Sequence, residues 1–287
     1  MSIIIDESTR VIVQGLGTQG SFHAKLMKES GTKIEAAIST SKKGDFEGIP
    51  LYSTVKEAMK NTHVDFSILF VPAPYTKSAA LESIDNGLNL VIITEGVPVH
   101  DSIEIMRAAK EKNLIVIGPN CPGIISPGKS KIGIMPIHIF KKGCIGVVSR
   151  SGTLTYEIVM HLSKNGIGQS TVIGIGGDPV IGMDFVQALK LFEKDKETDS
   201  VILIGEIGGN LEERASEFIK SKFSKKVIAY IAGRTAPTEK RMGHAGAIIE
   251  GTAGTAESKI NALKEAGVEV AEFPSDIVKY LNKKFDF

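Results

Sequence analysis

The feature that most constrains this chain is a rhythm in which apolar runs of about five residues alternate with segments of helical period, twice over, with one break. So short a continuous apolar run suits a strand covered on both faces. Strands that alternate with amphipathic helices build a parallel sheet with helices packed against it. The first series predicts strands at Arg10–Gln14, Lys33–Ser39, Asp65–Val71, Asn89–Ile93 and Leu114–Ile117, with helices at Gln19–Ser30, Thr54–Lys60, Thr76–Asn86 and Ser102–Lys112. The second predicts strands at Cys144–Ser149, Ser170–Ile175, Ser200–Gly205, Val227–Ile231 and Val268–Ala271. Its helices fall near Thr153–Asn165, Met183–Glu193, Leu211–Ser221, Ala256–Ala266 and Ser275–Lys284. Polar first turns and a following Gly or Asn mark several of the helix ends.

Between Gly118 and Gly143 the period is lost, and Pro119, Pro122, Pro127 and Pro136 fall inside the interval. This predicts a connection at 124–143 between domains at 1–123 and 144–287. With 287 residues, 42% of them hydrophobic, the chain can fill two ordinary cores. Its net charge of +1 supplies no bulk field for nucleic acid or an anionic membrane, so any anionic ligand must be held by local geometry. Cys121 and Cys144 lack metal-site or disulfide-framework spacing, which suits a reducing compartment. The segment Met1–Glu7 turns acidic after a short apolar run and does not read as a signal peptide, so a cytoplasmic location is expected.

Gly15-Leu16-Gly17-Thr18-Gln19-Gly20 matches a dinucleotide fingerprint, directly after a strand and before a helix. The acid that would bind an unmodified ribose is not at the end of the second strand. Glu35 sits mid-strand, and the strand runs out in Ser39-Thr40-Ser41-Lys42-Lys43. Lysines there suit a phosphorylated ribose, as in NADP or the 3′-phospho-ADP of coenzyme A. Gly123 to Ser130 is a literal G-x-x-x-x-G-K-S, but neither the preceding strand nor the following helix of a P-loop is evident. It reads as a chance match.

Gly243-His244-Ala245-Gly246-Ala247 presents one imidazole from a loop of small residues that bulky reactants could approach. A neutral imidazole is a nitrogen nucleophile near neutral pH, and the phosphoramidate it forms can pass its phosphoryl group on. Two other segments supply what such a histidine needs. Ser149-Arg150-Ser151-Gly152-Thr153 breaks from a strand into a helix, and the amides around Ser151, Gly152 and Thr153 form a candidate anion site. Gly205-Glu206-Ile207-Gly208-Gly209 offers a carboxylate at the end of another strand, where ligands of open α/β sheets bind. His23, His63, His100, His138 and His161 have no evident partners and read as structural or surface residues.

Gly118 to Gly123, Ser149 to Thr155 followed by Tyr156-Glu157, Gly174 to Pro179, Gly205 to Gly209 and Arg241 to Ile248 together resemble the α subunits of succinyl-CoA synthetases. The resemblance runs from the first strand to the last helix. It implies an α/β chain with an N-terminal Rossmann-like CoA-binding domain followed by a flavodoxin-like ligase domain. It implies reversible formation of succinyl-CoA from succinate, CoA and ATP or GTP, a tricarboxylic acid cycle reaction. The nucleotide, with Mg2+, would bind an ATP-grasp β subunit in a heterodimer or heterotetramer. By the same resemblance His244 is the phosphohistidine, Glu206 its orienting carboxylate, and Tyr156 a contact of the acid substrate. CoA contacts are expected at Gly17, Thr18 and Gln19, at Lys42, and at Ile93, Thr94 and Glu95, with Val71 to Pro74 as a further wall. The glycine turn is one residue shorter than the family's usual form. Related ligases for malate, citrate or acetate are the nearest alternatives, whereas an NADP-linked oxidoreductase would leave the histidine loop unused.

Overall fold

The computed structural model describes residues 2–40, 44–237, 240–249 and 254–282. The chain divides into two compact units, one of Ile4–Met135 with Val180–Met183, the other of Met1–Ile3, Pro136–Pro179 and Asp184–Phe287.

In the first unit, β1 (Arg10–Gln14) leads into α1 (Thr18–Glu29) and β2 (Lys33–Ile38). A short excursion, β3 (Asp45–Phe46) and β4 (Ile49–Tyr52), precedes α2 (Val55–Ala58), β5 (Phe66–Leu69), α3 (Ala73–Asp85), β6 (Asn89–Ile92), α4 (Val99–Glu111) and β7 (Val116–Ile117). The sheet order is β3-β4-β2-β1-β5-β6-β7, parallel throughout except for the β3–β4 pair. Val11, Ile12 and Val13 are all fully buried, as a strand covered on both faces requires. Ile12, Ala36, Val55, Ala58, Val64 and Leu88 form one apolar cluster, and Leu69, Ala80, Ile84, Leu90, Ile92 and Ile105 another. Burying each large aliphatic side chain contributes about 1.5–3 kcal/mol. Helices α3 and α4 begin three residues before their expected starts, directly after Pro72 and Pro98. Proline's fixed φ suits a helix start, and Pro74 falls inside the first turn of α3, where the missing N–H costs nothing.

Residues 124–143, expected as an irregular connection, instead carry regular structure. Strands β8 (Gly123–Ser126) and β9 (Ser130–Gly133) pair as an antiparallel hairpin, and a 3-10 turn follows at Ile137–Ile139. A Cβ at Gly123 would lie 2.1 Å from the Ile132 carbonyl oxygen, and one at Gly133 would lie 2.2 Å from that of Pro122. These glycines therefore permit close backbone approach rather than marking a loop. The literal P-loop pattern is this hairpin, with no helix opening after it.

The second unit repeats the plan with β10 (Lys142–Ser149), α5 (Gly152–Lys164), β11 (Gln169–Gly174), α6 (Phe185–Lys194), β12 (Ser200–Glu206), α7 (Leu211–Lys222), β13 (Lys226–Ala232), α8 (Ala256–Glu265), β14 (Glu269–Ala271) and α9 (Ile277–Asn282). Its parallel strands run in the order β14-β13-β12-β10-β11. Side chains fix the helix starts: Ser151 accepts from the Leu154 amide, Asp184 and Gln187 form a capping box, and Thr255 accepts from the Ser258 amide.

In both units the chain steps from the first strand to one side and returns to the other. The reversal point lies between β1 and β5 in the first unit and between β10 and β12 in the second. Crevices at the carboxyl ends of such strand pairs are the usual ligand sites of open α/β sheets.

Candidate active site

At the second unit's reversal point, β10 ends at Ser149 and β12 at Glu206, with Ser149 in register with Ile204. Arg150 and Glu206 thus emerge from neighbouring strands. The Nη2 atom of Arg150 lies 3.4 Å from Glu206 Oε1, and both side chains are more than nine-tenths buried. His244 completes the group. Its Nδ1 is 2.9 and 2.8 Å from Glu206 Oε1 and Oε2, so a proton on Nδ1 is donated to the carboxylate and Nε2 is the ring nitrogen outside this contact.

Three glycines bring the histidine loop against the sheet. A Cβ on Gly177 would lie 2.2 Å from His244 Cγ, and one on Gly208 would lie 2.0 Å from the Gly246 carbonyl oxygen. Gly254 accepts the Gly208 amide at 2.8 Å, and a Cβ on it would crowd Gly208 Cα at 2.9 Å. The Gly246 amide donates to the Gly177 carbonyl at 2.9 Å, and Met242 N to Ala247 O at 2.9 Å. The loop is therefore pinned on both sides of His244, whose side chain keeps about a quarter of its surface open at 28%.

The hydrogen bond to Glu206 raises the His244 pKa above its ordinary 6.5, while burial opposes it. The Glu206 and Asp178 charges add to the rise, and Arg150 counters it. Among the described residues no group of His, Cys, Asp and Glu could hold a metal ion.

Ser151 is the N-cap of α5, and Gly152 and Thr153 open its first turn, immediately after Arg150. The first amides of a helix have no carbonyl partner within it, so this end is electropositive. Tyr156 stands in the second turn of α5, half-buried. A cavity of about 780 Å³ on this unit is lined by Arg150, Asp178, Pro179, Ala245 and Gly246, among others.

The first unit's reversal point holds a cleft of about 420 Å³, lined by Gln14, Gly15, Leu16 and Gly17 on one side and by Val71, Tyr75 and Ser78 on another. Gly15 has φ +93°, and a Cβ on Gly20 would lie 1.8 Å from the Gly15 oxygen, so both are confined to glycine. Nothing lies within 4 Å of a Cβ position at Gly17, the N-cap of α1, which leaves the turn's backbone open to a ligand. Of the expected CoA contacts, Gly17 lines this cleft. Thr18 and Gln19 lie in the first turn of α1, and Ile93, Thr94 and Glu95 follow β6. Thr94 Oγ1 donates to the carbonyl of Val71, a cleft residue, at 2.7 Å. Lys42, with Lys43, falls outside the described residues. Glu35, the weighed ribose ligand, lies within β2, and its Oε1 is 3.8 Å from Arg10 Nε. Sequence reasoning missed Ser39, Thr40, Ser53, Ser78 and Glu82, which also line the cleft. Their only signal was position near strand ends or on a neighbouring helix.

Comparison with known proteins agrees with this division. Residues 6–104 match the CoA binding domain and residues 148–269 match the CoA-ligase family. Succinate–CoA ligase (ADP-forming) subunit alpha 1 of Archaeoglobus fulgidus is 55% identical over 286 residues, covering 99% of this chain and 98% of that protein. The alpha subunit from Methanothermobacter thermautotrophicus is 56% identical over 278 residues, covering 96% and 94%. Among solved structures, Methanosaeta concilii ATP citrate lyase in complex with (3S)-citryl-CoA superposes with a TM-score of 0.85 at 26% identity. That match covers 99% of this chain but 52% of the lyase. An α/β chain with a CoA-binding unit followed by a CoA-ligase unit, this protein belongs to the family of succinate–CoA ligase alpha subunits.

Proposed function

We propose that this chain carries the phosphohistidine of a succinate–CoA ligase, with His244 as the nucleophile and Glu206 as the carboxylate that fixes its tautomer. The observation that carries this is the contact of His244 Nδ1 with both Glu206 oxygens, in a glycine-lined loop at the sheet's reversal point. The Nε2 lone pair attacks the γ-phosphorus of ATP or GTP, the bond to the β,γ-bridging oxygen breaks, and the nucleoside diphosphate leaves. Because Nδ1 keeps its proton, the phosphorylated ring is cationic and faces a carboxylate. A succinate carboxylate oxygen then takes the phosphoryl group as the P–N bond breaks. The CoA thiolate attacks the acyl carbon and inorganic phosphate leaves, giving the thioester. Splitting one condensation into three exchanges keeps each barrier low.

In this reading the α5 amides at Ser151, Gly152 and Thr153 stabilise the phosphoryl group electrostatically, and Tyr156 contacts the acid. The turn at Gly17, Thr18 and Gln19, together with Lys42, Ile93, Thr94 and Glu95, holds CoA. The nucleotide and Mg2+ bind a separate ATP-grasp β subunit, in a heterodimer or heterotetramer. Two free cysteines suit the cytoplasm as the place of work.

The test uses the full chain with and without an ATP-grasp β subunit at equal amounts. The expected result is CoA binding by the chain alone, succinyl-CoA synthesis only in the mixture, and no synthesis by a mixture containing His244→Asn, which still binds CoA. Robust synthesis by the chain alone, or by the His244→Asn mixture, would overturn the assignment.

A further inference from the structure

Beneath Glu206 lies a row of buried charges that the reaction itself does not consume. Glu212 and Lys259 are both fully inaccessible, and Lys259 Nζ lies 2.5 Å from Glu212 Oε2. The other oxygen, Glu212 Oε1, accepts from Arg150 Nη1 and from the Glu206 amide, each at 3.1 Å. Arg150 Nη1 also donates to the carbonyls of Glu206 and Gly208, at 3.3 and 3.1 Å. Lys259 Nζ further donates to the Gly209 carbonyl and to Glu213 Oε2, each at 3.0 Å. From α8 to the histidine loop the signs alternate: Lys259, Glu212, Arg150, Glu206, His244.

Stability does not explain this row. A buried ion pair is commonly matched or exceeded by apolar residues of similar volume, because desolvation offsets the Coulombic gain. The fold also makes room for it at the expense of a side chain. A Cβ on Gly205 would lie 2.6 Å from Glu212 Cγ and 2.7 Å from its Oε1, so the glycine before Glu206 clears space for Glu212. Arg150, Glu212 and Lys259 each also bond to the segment from Glu206 to Gly209, which supplies the carboxylate that holds His244.

We propose that Glu212 and Lys259 are positioning residues that lock Arg150 and Glu206 in place and thereby tune the proton affinity of His244. Arg150 is shared between two carboxylates. Lys259 neutralises Glu212 and so leaves Arg150 free to engage Glu206. Removing the Glu212 charge releases Arg150 toward Glu206 and leaves a surplus cation near the imidazole, which lowers its proton affinity. Removing the Lys259 charge has the opposite effect, since Glu212 then competes for Arg150 and an uncompensated anion remains. Among the described residues, the other charges near these groups are Asp178, near His244, and Glu213, beside Lys259. The consequence for catalysis rests on the phosphohistidine reading, but the test does not, because it follows the imidazole alone.

The test is an NMR titration of the His244 ring in the full chain, with the signal identified by its loss in His244→Asn. Glu212→Gln is expected to lower the midpoint and Lys259→Met to raise it, each by about half a pH unit to one unit. The double variant, neutral overall, is expected to return close to the wild-type midpoint. A merely structural role would broaden or weaken signals without opposite shifts. Folded single variants whose midpoints do not move, or move in the same direction, would overturn the proposal. If a single variant does not fold, Glu212→Asp or Lys259→Arg replaces it. The charge is then retained, so a wild-type midpoint is expected, and a shift of more than about half a unit would contradict a charge-based role.

Discussion

The two units share one plan and place their crevices at the same topological point, yet they furnish those crevices in opposite ways. Between β1 and β5 the lining is small and largely uncharged: Gln14, Gly15, Gly17, Ser39, Thr40 and Val71. Even its buried polar group, Gln14, is spent internally, donating to Ser67 Oγ, Ser83 Oγ and the Ala79 carbonyl. Between β10 and β12 the same location holds Arg150, Glu206 and His244, backed by Glu212 and Lys259. On the proposed function, the difference separates two tasks. Holding a phosphorylated ligand needs backbone amides and room, whereas exchanging a phosphoryl group needs a nucleophile of fixed tautomer and charges that do not reorganise.

The comparison breaks most visibly at Glu206. Glu206→Gln keeps the shape but removes the charge that would face the cationic phosphorylated ring of the proposed mechanism, and phosphorylation of His244 should slow by about 10²–10⁴-fold. The same substitution removes the main cause of the raised His244 pKa. Since Nε2 attacks only from the neutral ring, the acid limb of the phosphorylation profile should move to lower pH. Linkage gives the matching sign. A raised folded-state pKa favours the folded chain below the unfolded value near 6.5, and that contribution fades as pH rises through the folded value. Phosphorylation kinetics across pH check both points, and an unmoved acid limb would detach Glu206 from the titration.

A geometric lesion in the same unit should cost less. Gly177→Ala places a methyl 2.2 Å from His244 Cγ and must push the ring from Glu206. A displacement near 1 Å at a reacting group costs about 10²-fold. Single-turnover phosphorylation measures it, and CoA affinity, read by calorimetry, should stay unchanged.

The mirror lesion in the first unit is Gly20→Ala, where a Cβ would lie 1.8 Å from the Gly15 oxygen. The turn must open, and CoA affinity should fall by about tenfold, equivalent to about 1.4 kcal/mol. His244 phosphorylation should not change. A variant that impaired both activities equally would erase the proposed division of labour.

The sequence made the alternating frame legible because strands such as Arg10–Gln14 and Ser200–Glu206 have continuous apolar runs at their centres, each followed by a segment of helical period. It hid β8 and β9, because glycines that allow strands to touch look the same as glycines that end them. It also hid β4, whose Pro50 sits in a strand of only four residues. His244 and Glu206 were legible as a histidine in a loop of small residues and a carboxylate at a strand end. Their support was not, since Glu212 and Lys259 look like ordinary solvated charges on amphipathic helices. Their meaning depends on contacts with Arg150 and with each other across 62 and 47 residues.

The central claim is that Glu206 holds Nδ1 and leaves Nε2 to react. Phosphorylating the 15N-histidine-labelled full chain, together with an ATP-grasp β subunit, and locating the phosphoryl group by 15N and 31P NMR tests it most directly. One phosphohistidine is expected, at His244, substituted on Nε2 with Nδ1 still protonated. A phosphoryl group on Nδ1, or on any other residue, would contradict it.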